Sequence, residues 1–235
     1  MIIMSKIKPK PSYFDKYADN YEDLVSDQTD FFSKDRSYFS RHKSKILKQV
    51  WRGRLRQPEK ILEFGCGVGL NLPFILEAFP KSRIYGSDIS EQSLDKVREE
   101  QKNISCVSDR ELDQQTFDLI LISCVFHHIQ PQDRERVMER VRNLLKPDGI
   151  LCVVEHNPYN PVTRHLVNTC PFDEDAVLLS MRETCKMISG CANLRLHRKG
   201  YCLFFPESLH FLNALEPTLI HIPLGGQYFV SARRT

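Results

Sequence analysis

Three glycines at alternate positions, Gly65, Gly67 and Gly69, constrain the fold of this chain more than any other feature. They follow a short apolar run, residues 60–64, and precede a helix-compatible segment, residues 72–79. This order predicts a strand, a tight loop and a helix, and the loop backbone can approach a ligand closely because glycine has no Cβ. The sequence therefore predicts a ligand-binding α/β unit.

Two residues beside the loop distinguish between ligands. The dinucleotide fingerprint needs a third small residue at position 70, where strand and helix pack closely, but Leu70 stands there. Glu63, immediately before the loop, would repel a pyrophosphate. A carboxylate suits instead a ligand that carries an ammonium and a sulfonium group. The pattern therefore favours S-adenosylmethionine over a dinucleotide.

Strand-like and helix-like segments alternate after the glycine loop, which is typical of a doubly wound parallel sheet. The predicted strands are residues 83–87, 104–107, 116–123, 150–154, 195–205 and 227–232. The predicted helices are residues 91–101, 131–145, 173–189 and 206–215, with a proline-rich loop before the third. The sequence thus predicts an α/β fold.

An acid followed by G-x-G-x-G, together with the alternation over residues 60–156, resembles the class I S-adenosylmethionine-dependent methyltransferases. The resemblance implies a Rossmann-like, mostly parallel seven-stranded sheet whose last two strands form an antiparallel hairpin. It implies S-adenosylmethionine as the cofactor. It also implies first-motif cofactor contacts from Glu63, Gly65, Cys66, Gly67, Gly69 and Asn71.

Two later acids complete the expected cofactor site. Asp88 ends the second predicted strand, where a carboxylate can accept hydrogen bonds from both ribose hydroxyls; the alternative is a helix N-cap. Ile89 is then expected to pack against the adenine. Asp109 follows the third strand and resembles the acid that accepts from the adenine amino group, with a surface acid as the alternative.

The turn after the fourth strand, from Ser123 to Ile129, contains His127 and His128. In the resembling families this turn passes beside the methionine part of the cofactor, so Ser123 is a candidate cofactor contact. One histidine could act as a general base, since neutral imidazole titrates near working pH. Alternatively, the pair shapes the loop through hydrogen bonds.

Glu155, His156 and Asn157 leave the fifth strand at the carboxyl edge, where open α/β sheets bind ligands. They are candidates to orient the methyl acceptor, and Glu155 and His156 join the histidine pair as candidate catalytic residues. No metal site is expected, because no partner acid or cysteine near the histidines has diagnostic spacing.

The N-terminal region is expected to be helical. Phe14, Tyr17 and Tyr21 share one face of a segment with the pattern F-D-x-x-A-x-x-Y, which lies over the cofactor in many small-molecule methyltransferases. Tyr17 and Tyr21 are therefore cofactor candidates; the alternative is a helix packed permanently on the core. In a second predicted helix, residues 36–57, seven basic residues form a solvated face or bind an acidic partner: Arg41, Lys43, Lys45, Lys48, Arg52, Arg54 and Arg56.

These segments predict a helical cap or lid, residues 1–57, and a cofactor-binding domain, residues 58–235, with a helical insertion near 206–222. The net charge of +3 is too small to indicate nucleic-acid or membrane binding. Eight scattered cysteines and no apolar run of membrane-spanning length favour a cytoplasmic protein with reduced thiols.

The expected function is methyl transfer to an oxygen or nitrogen of a small-molecule acceptor, such as a sugar or a lipid-linked metabolite. The reason is the absence of an added RNA-binding module and of a marked basic balance. Two alternatives stay open: an RNA or protein methyltransferase that recruits its acceptor through the basic helix, and a non-catalytic subunit that retains the cofactor fold. The oligomeric state and the acceptor atom stay open too.

Overall fold

A sheet in the strand order β3-β2-β1-β4-β5-β7-β6 forms the centre of the molecule. The computed structural model describes residue 15, residues 29–30 and residues 32–235. The strands are β1 Lys60–Phe64, β2 Arg83–Ser87, β3 Ser105–Cys106, β4 Phe117–Ser123, β5 Leu145–His156, β6 Leu194–Cys202 and β7 Gln227–Arg234. Strands β1 to β5 run parallel, and β7 pairs antiparallel with both β5 and β6. The predicted seven-stranded, mostly parallel sheet with a terminal hairpin is therefore confirmed.

Helices cover both faces of this sheet. The α-helices are α1 Tyr38–Trp51, α2 Leu72–Ala78, α3 Glu91–Glu100, α4 Asp109–Leu112, α5 Arg134–Leu144, α6 Pro161–Thr169, α7 Met181–Gly190 and α8 Glu216–Leu219. Short 3₁₀ helices occupy Phe126–His128, Pro131–Asp133 and Glu207–Leu215. The last of these replaces the α-helix expected at 206–215.

The central strand β4 shows why two apolar layers form. Successive side chains of a strand point to opposite faces of the sheet. Leu119 and Leu121 accordingly join one buried cluster, while Ile120 and Ile122 join the other. Because both faces are covered, the whole run is apolar rather than alternating.

Helix α1 ends at Trp51, so the prediction of one helix over residues 36–57 was too long. Gly53 has a φ of +95°, a left-handed conformation that is incompatible with helix continuation. Leu55, which lies within the predicted range but beyond the end of α1, is fully exposed. The helix itself packs on the sheet, because Leu47 and Val50 are buried in the same cluster as Leu119. The proposed domain boundary at residue 57 stays a prediction.

The segment between β5 and β6 differs most from the prediction. Helix α6 replaces much of the expected proline-rich loop, and its start carries a clear signal: Asn160 Oδ1 accepts a 3.0 Å hydrogen bond from the Thr163 backbone N–H, with Pro161 in the first turn. The next helix, α7, begins at Met181 rather than at 173. Residues 170–180 therefore form a loop.

Strand β5 begins at Leu145 rather than at 150. Its first residues bulge against β4, since the register shifts between Phe117 and Leu119. Asp148 in this bulge has a φ of +64°. Among the helices in the described part of the chain, none combines the length and hydrophobicity needed to cross a bilayer.

Candidate cofactor and acceptor site

The glycine loop joins β1 to α2 and contains three left-handed residues, with φ values of +74° at Gly65, +53° at Gly67 and +80° at Gly69. A Cβ on Gly65 would lie 2.6 Å from Val125 Cγ2, so this glycine is required for packing. A Cβ on Gly67 would meet no described atom within 4 Å. The loop therefore packs tightly at its start and is open at its middle, where a ligand can approach the backbone.

Glu63 and Asn71 join the two elements that flank this loop. Asn71, although it precedes α2, does not cap the helix; its Nδ2 donates a 2.5 Å hydrogen bond to Glu63 Oε1. Glu63 Oε2 and Asn71 Oδ1 are buried and accept no hydrogen bond from the described residues. Burial raises the pKa of Glu63 to about 7. Two unsatisfied acceptors therefore lie beside the loop, which suits a ligand with N–H donors and positive charge.

Asp88 connects the end of β2 to the glycine loop. Its Oδ2 accepts a 2.8 Å hydrogen bond from the Gly67 N–H, and its Oδ1 accepts a 2.9 Å bond from the Ser90 N–H. Ser90 itself caps α3 by accepting from the Ser93 N–H, so Asp88 is not the side-chain cap. Burial raises the pKa of the Asp88 carboxyl.

The residues expected to surround the adenine lie, like Asp88, at the carboxyl edge of the sheet. Ile89 is 41% exposed, unlike the buried aliphatic residues of the sheet. Asp109 is the first residue of α4 and follows β3 at the carboxyl edge. Cys66 is buried beneath the loop, and its Sγ lies 3.5 Å from the Gly67 carbonyl oxygen. Ser123 ends β4 with a buried hydroxyl that has no described partner.

Beyond β4, the side chains of His127, His128, His156, Glu155 and Asp173 form what we call the histidine cluster. Glu155 is fully buried; its Oε1 accepts from the backbone N–H groups of Val125 and Phe126, and its Oε2 contacts His127 Nδ1 at 2.7 Å. Both oxygens are thus engaged. Glu155 therefore positions His127 and the turn after β4 rather than meeting an acceptor directly.

The three imidazoles of the cluster differ in charge. Burial alone would lower the pKa of His127, but Glu155 and Asp173 raise it to about 10. Burial and the charge on His127 lower the pKa of His128 to about 3 and that of His156 to about 4. At neutral pH, His127 is the charged ring and the other two are neutral.

Asp173 is distant from His127 and His128 in the sequence but lies beside them in the structure. The histidine pair therefore has a partner acid, which the sequence spacing did not indicate. Asp173 Oδ1 lies 3.4 Å from His127 Nε2 and 3.3 Å from His128 Nε2. The loop that carries it is fixed to the turn after β4, because the Val177 N–H donates a 2.8 Å bond to the His127 carbonyl. Asp173 was expected to begin a helix, and only its placement in a loop lets it face the histidines.

Asn157, a candidate to orient the acceptor, has a structural role instead. Its Nδ2 donates to the carbonyls of Pro223 and Gly225, and its Oδ1 accepts from the Tyr159 N–H. The amide thereby holds the chain before β7 against the end of β5. All of its polar atoms are used within the protein.

Two residues outside the predicted set lie near the site. The positive charge of Lys43, assigned to a solvated face of α1, lowers the pKa of Glu63 and of His156, so Lys43 lies near the cofactor side and the histidine cluster. Asp15 accepts a 2.6 Å hydrogen bond from Ser90 Oγ. The predicted contacts Tyr17 and Tyr21 lie outside the described residues.

Comparison with known proteins identifies this arrangement. Residues 62–151 match the family model described as a methyltransferase domain. The plantazolicin methyltransferase BpumL, solved with a desmethyl-plantazolicin analogue and SAH, has the same fold: the TM-score is 0.64 at 14% identity, covering 96% of this chain and 98% of that one. The matched residues belong to a methyltransferase domain, and the chain has the class I fold. The expected family, fold and family cofactor are thereby confirmed.

The names of the curated relatives of this chain indicate different methyl acceptors. The tRNA N(3)-methylcytidine methyltransferase Mettl2 of Drosophila melanogaster is 25% identical over 55% of this chain and 44% of its own length. The malonyl-[acyl-carrier protein] O-methyltransferase 2 of Ilyobacter polytropus is 30% identical over 39% of this chain and 37% of its own length. The chain therefore matches about two fifths of the length of these relatives.

Proposed function

We propose that this chain is an S-adenosylmethionine-dependent methyltransferase with a small-molecule acceptor, bound between the glycine loop and the histidine cluster. The observation that carries the proposal is the buried Glu63 carboxylate beside an open glycine loop, with one oxygen that no described residue satisfies. The proposed cofactor contacts are Glu63, Gly65, Cys66, Gly67, Gly69, Asn71, Asp88, Ile89, Asp109, Ser123, Tyr17 and Tyr21.

The bound cofactor supplies a methyl group already activated on a sulfonium, so the protein has to align the acceptor and exclude water. Glu63 and Asn71 hold the charged amino-acid end with their unsatisfied oxygens. Asp88 fixes the middle of the glycine loop and meets the ribose hydroxyls. Asp15, in the predicted lid segment, lies against Ser90 and supports a lid that reaches this end of the site.

His156 is the proposed proton acceptor for an acceptor hydroxyl. It is neutral at working pH, partly exposed, and close enough to Lys43 and His127 to respond to both charges. Glu155 and Asp173 hold His127 in its protonated form, so this ring does not accept a proton. Glu155 positions His127, and His128 completes the wall of the acceptor pocket.

Two observations favour a small molecule over RNA. Basic residues of the helix thought to recruit nucleic acid have partners within the protein: Arg41 pairs with Glu77 at 3.4 Å, and Arg54 donates to the Asp148 carbonyl at 2.7 Å. Structural relatives with small-molecule names include a plantazolicin and a mitomycin methyltransferase. The tRNA enzyme among the relatives keeps an RNA acceptor as the second candidate.

Isotopically labelled S-adenosylmethionine, incubated with the protein and a fractionated cell extract, tests the proposal. We expect label in a small-molecule fraction, with the product identified by mass. Label in RNA alone, lost at high salt, would favour the second candidate. Tight cofactor binding without labelled product in any fraction would indicate a non-catalytic subunit.

All eight cysteines carry free thiols, and five of them are buried: Cys66, Cys152, Cys170, Cys191 and Cys202. We infer a reducing, cytoplasmic location from this pattern. Measuring the free-thiol content of protein purified without reductant tests the inference, and eight reactive thiols after unfolding are expected.

A further inference from the structure

Three side chains of the histidine cluster present metal-ligand atoms to a common point. One nitrogen of His127, one nitrogen of His128 and one carboxylate oxygen of Asp173 all lie within 4.8 Å of one another. The two nitrogen-to-oxygen distances are 3.4 and 3.3 Å. In a tetrahedral site with bonds of about 2.0–2.1 Å, neighbouring ligand atoms are separated by roughly 3.3 Å. The carboxylate oxygen is thus already spaced from both nitrogens as in a metal site.

The hydrogen bond of His127 gives this ring the orientation that a metal ligand needs. Because a carboxylate only accepts hydrogen bonds, Glu155 Oε2 keeps a proton on His127 Nδ1 at 2.7 Å and directs Nε2 towards Asp173. Metal-binding histidines commonly donate their second N–H to a carboxylate in this way. Glu155 is in turn fixed by two backbone N–H groups, so its contact with Nδ1 keeps the His127 ring in a fixed orientation.

The hydrogen bonding of Asp173 is an observation separate from the spacing of the donors. Asp173 is 7% exposed, and its Oδ1 accepts no geometrically sound hydrogen bond from the described residues, although both Nε2 atoms are near. The carboxylate is paired in charge with His127, but a buried oxygen that no well-aligned donor reaches is costly. A divalent ion between this oxygen and the two nitrogens would satisfy it.

We propose that His127, His128 and Asp173 bind a divalent transition-metal ion of the Zn²⁺ or Fe²⁺ class, with Glu155 as the positioning residue. Two imidazoles and one carboxylate suit such ions and disfavour Mg²⁺ and Ca²⁺. Three protein ligands leave a further coordination position open, as in catalytic sites. Partial exposure of His128 and His156 places that position on the acceptor side.

The role of the ion, unlike its binding, rests on the proposed function. An acceptor hydroxyl in the open position would lose its proton more readily, since a bound metal lowers the pKa of an oxygen ligand. The proton would pass to His156, whose ring centroid lies 5.0 Å from that of His127. The acceptor oxygen would then be ready to form its bond to the transferred methyl group.

Titration of the chelator-treated full chain with Zn²⁺, followed by calorimetry, and with Co²⁺, followed by its visible absorption, tests the binding. We expect one ion per chain. The variants Asp173→Asn and His128→Gln should each weaken binding at least tenfold, and Glu155→Gln by about 10–100-fold. The matched control His165→Gln removes an exposed histidine outside the cluster and should change nothing. All variants keep the eight cysteines, so thiol binding cancels in the comparison.

Absence of stoichiometric Zn²⁺ and Co²⁺ binding, or equal affinity in folded Asp173→Asn and His128→Gln, would overturn the proposal. Circular dichroism establishes folding, and His128→Gln serves if the more buried Asp173→Asn does not fold. Cofactor binding and methyl transfer are measured in parallel. Methyl transfer without any metal binding would overturn the metal site and leave the proposed function intact. Metal binding without methyl transfer would support the metal site and overturn the proposed function.

Discussion

Asp88 Oδ2 accepts a hydrogen bond of 2.8 Å from the backbone N–H of Gly67, so the end of β2 holds the middle of the glycine loop in place. The same carboxylate is proposed to meet the cofactor ribose. One side chain would thus shape the loop and bind the ligand.

We expect Asp88→Ala to weaken binding of S-adenosylmethionine or its demethylated product by roughly 1–3 kcal/mol, because hydroxyl and N–H groups lose a charged acceptor. Calorimetry measures the change. Asp95→Ala, which removes an exposed partner of Arg98, is the control. Unchanged cofactor affinity in a folded Asp88→Ala protein would show that Asp88 only holds the glycine loop and does not bind the cofactor.

The pH dependence of cofactor affinity should report Glu63. Its pKa is raised to about 7, so the carboxyl group is neutral below this pH and attracts a cationic ligand only weakly. Affinity should therefore rise between pH 5.5 and 7.5, by at most about tenfold per pH unit. Glu63→Gln should bind more weakly at pH 7.5 and show a flatter profile. Parallel profiles for the two proteins would contradict the assignment.

Substitution of two loop glycines should separate packing from ligand binding. Gly65→Ala combines left-handed strain of about 1–2 kcal/mol with a clash against Val125 that costs about 1–3 kcal/mol. Gly67→Ala carries the strain alone. We expect a larger loss of thermal stability for Gly65→Ala, whereas Gly67→Ala should lose cofactor affinity out of proportion to its stability. Equal melting temperatures would be inconsistent with this packing.

His127→Gln should destabilise the metal-free protein by roughly 3–5 kcal/mol, because it leaves buried carboxylates without their cation. Addition of Glu155→Gln should recover part of the loss. Since the folded pKa of His127 is raised from 6.5 to about 10, its stabilisation is complete below pH 6.5 and is lost as pH rises through 10. Denaturant unfolding at pH 7 and pH 10, with exposed His165→Gln as control, measures both effects. A pH-independent difference would argue against a charged His127.

Deletion of residues 1–22, most of which lie outside the described residues, tests the predicted lid. We expect a folded sheet with reduced cofactor affinity and turnover, because the alternating strands and helices begin only near residue 60. In the intact chain, limited proteolysis within this segment should slow when cofactor is added. Equal cleavage with and without saturating cofactor would favour a helix packed permanently on the core.

The sequence was sufficient to predict the sheet and its glycine loop because those features depend on local patterns. The strand at Phe117–Ser123 is continuous and apolar, and Gly65, Gly67 and Gly69 are spaced for a left-handed loop. The start of α6 has an equally local signal in Asn160 and Pro161, although the other prolines nearby are also typical of a loop.

The histidine cluster was only half predictable. His127 and His128 follow a recognisable strand, but Asp173 reaches them from a distant loop whose path depends on tertiary contacts, among them the bond from the Val177 N–H to the His127 carbonyl. No spacing rule could join these residues. The half-buried Lys43 could not be separated from exposed Arg41 and Lys45 by the sequence, because its environment depends on how the helix lies on the sheet.

The position of β7 between β5 and β6 has a consequence for the order of folding. Strand β6 has no hydrogen-bonded neighbour in the sheet other than β7 within the described part of the chain. The pairing of His156 with Gln227 closes a long loop. The chain loses conformational entropy when the two ends of this loop are brought together, before the strand contacts compensate for the loss. The antiparallel pairing of β7 with β5 should therefore be a late, slow step of folding. Until it forms, β5 is an unpaired edge strand that can pair with another chain and cause aggregation.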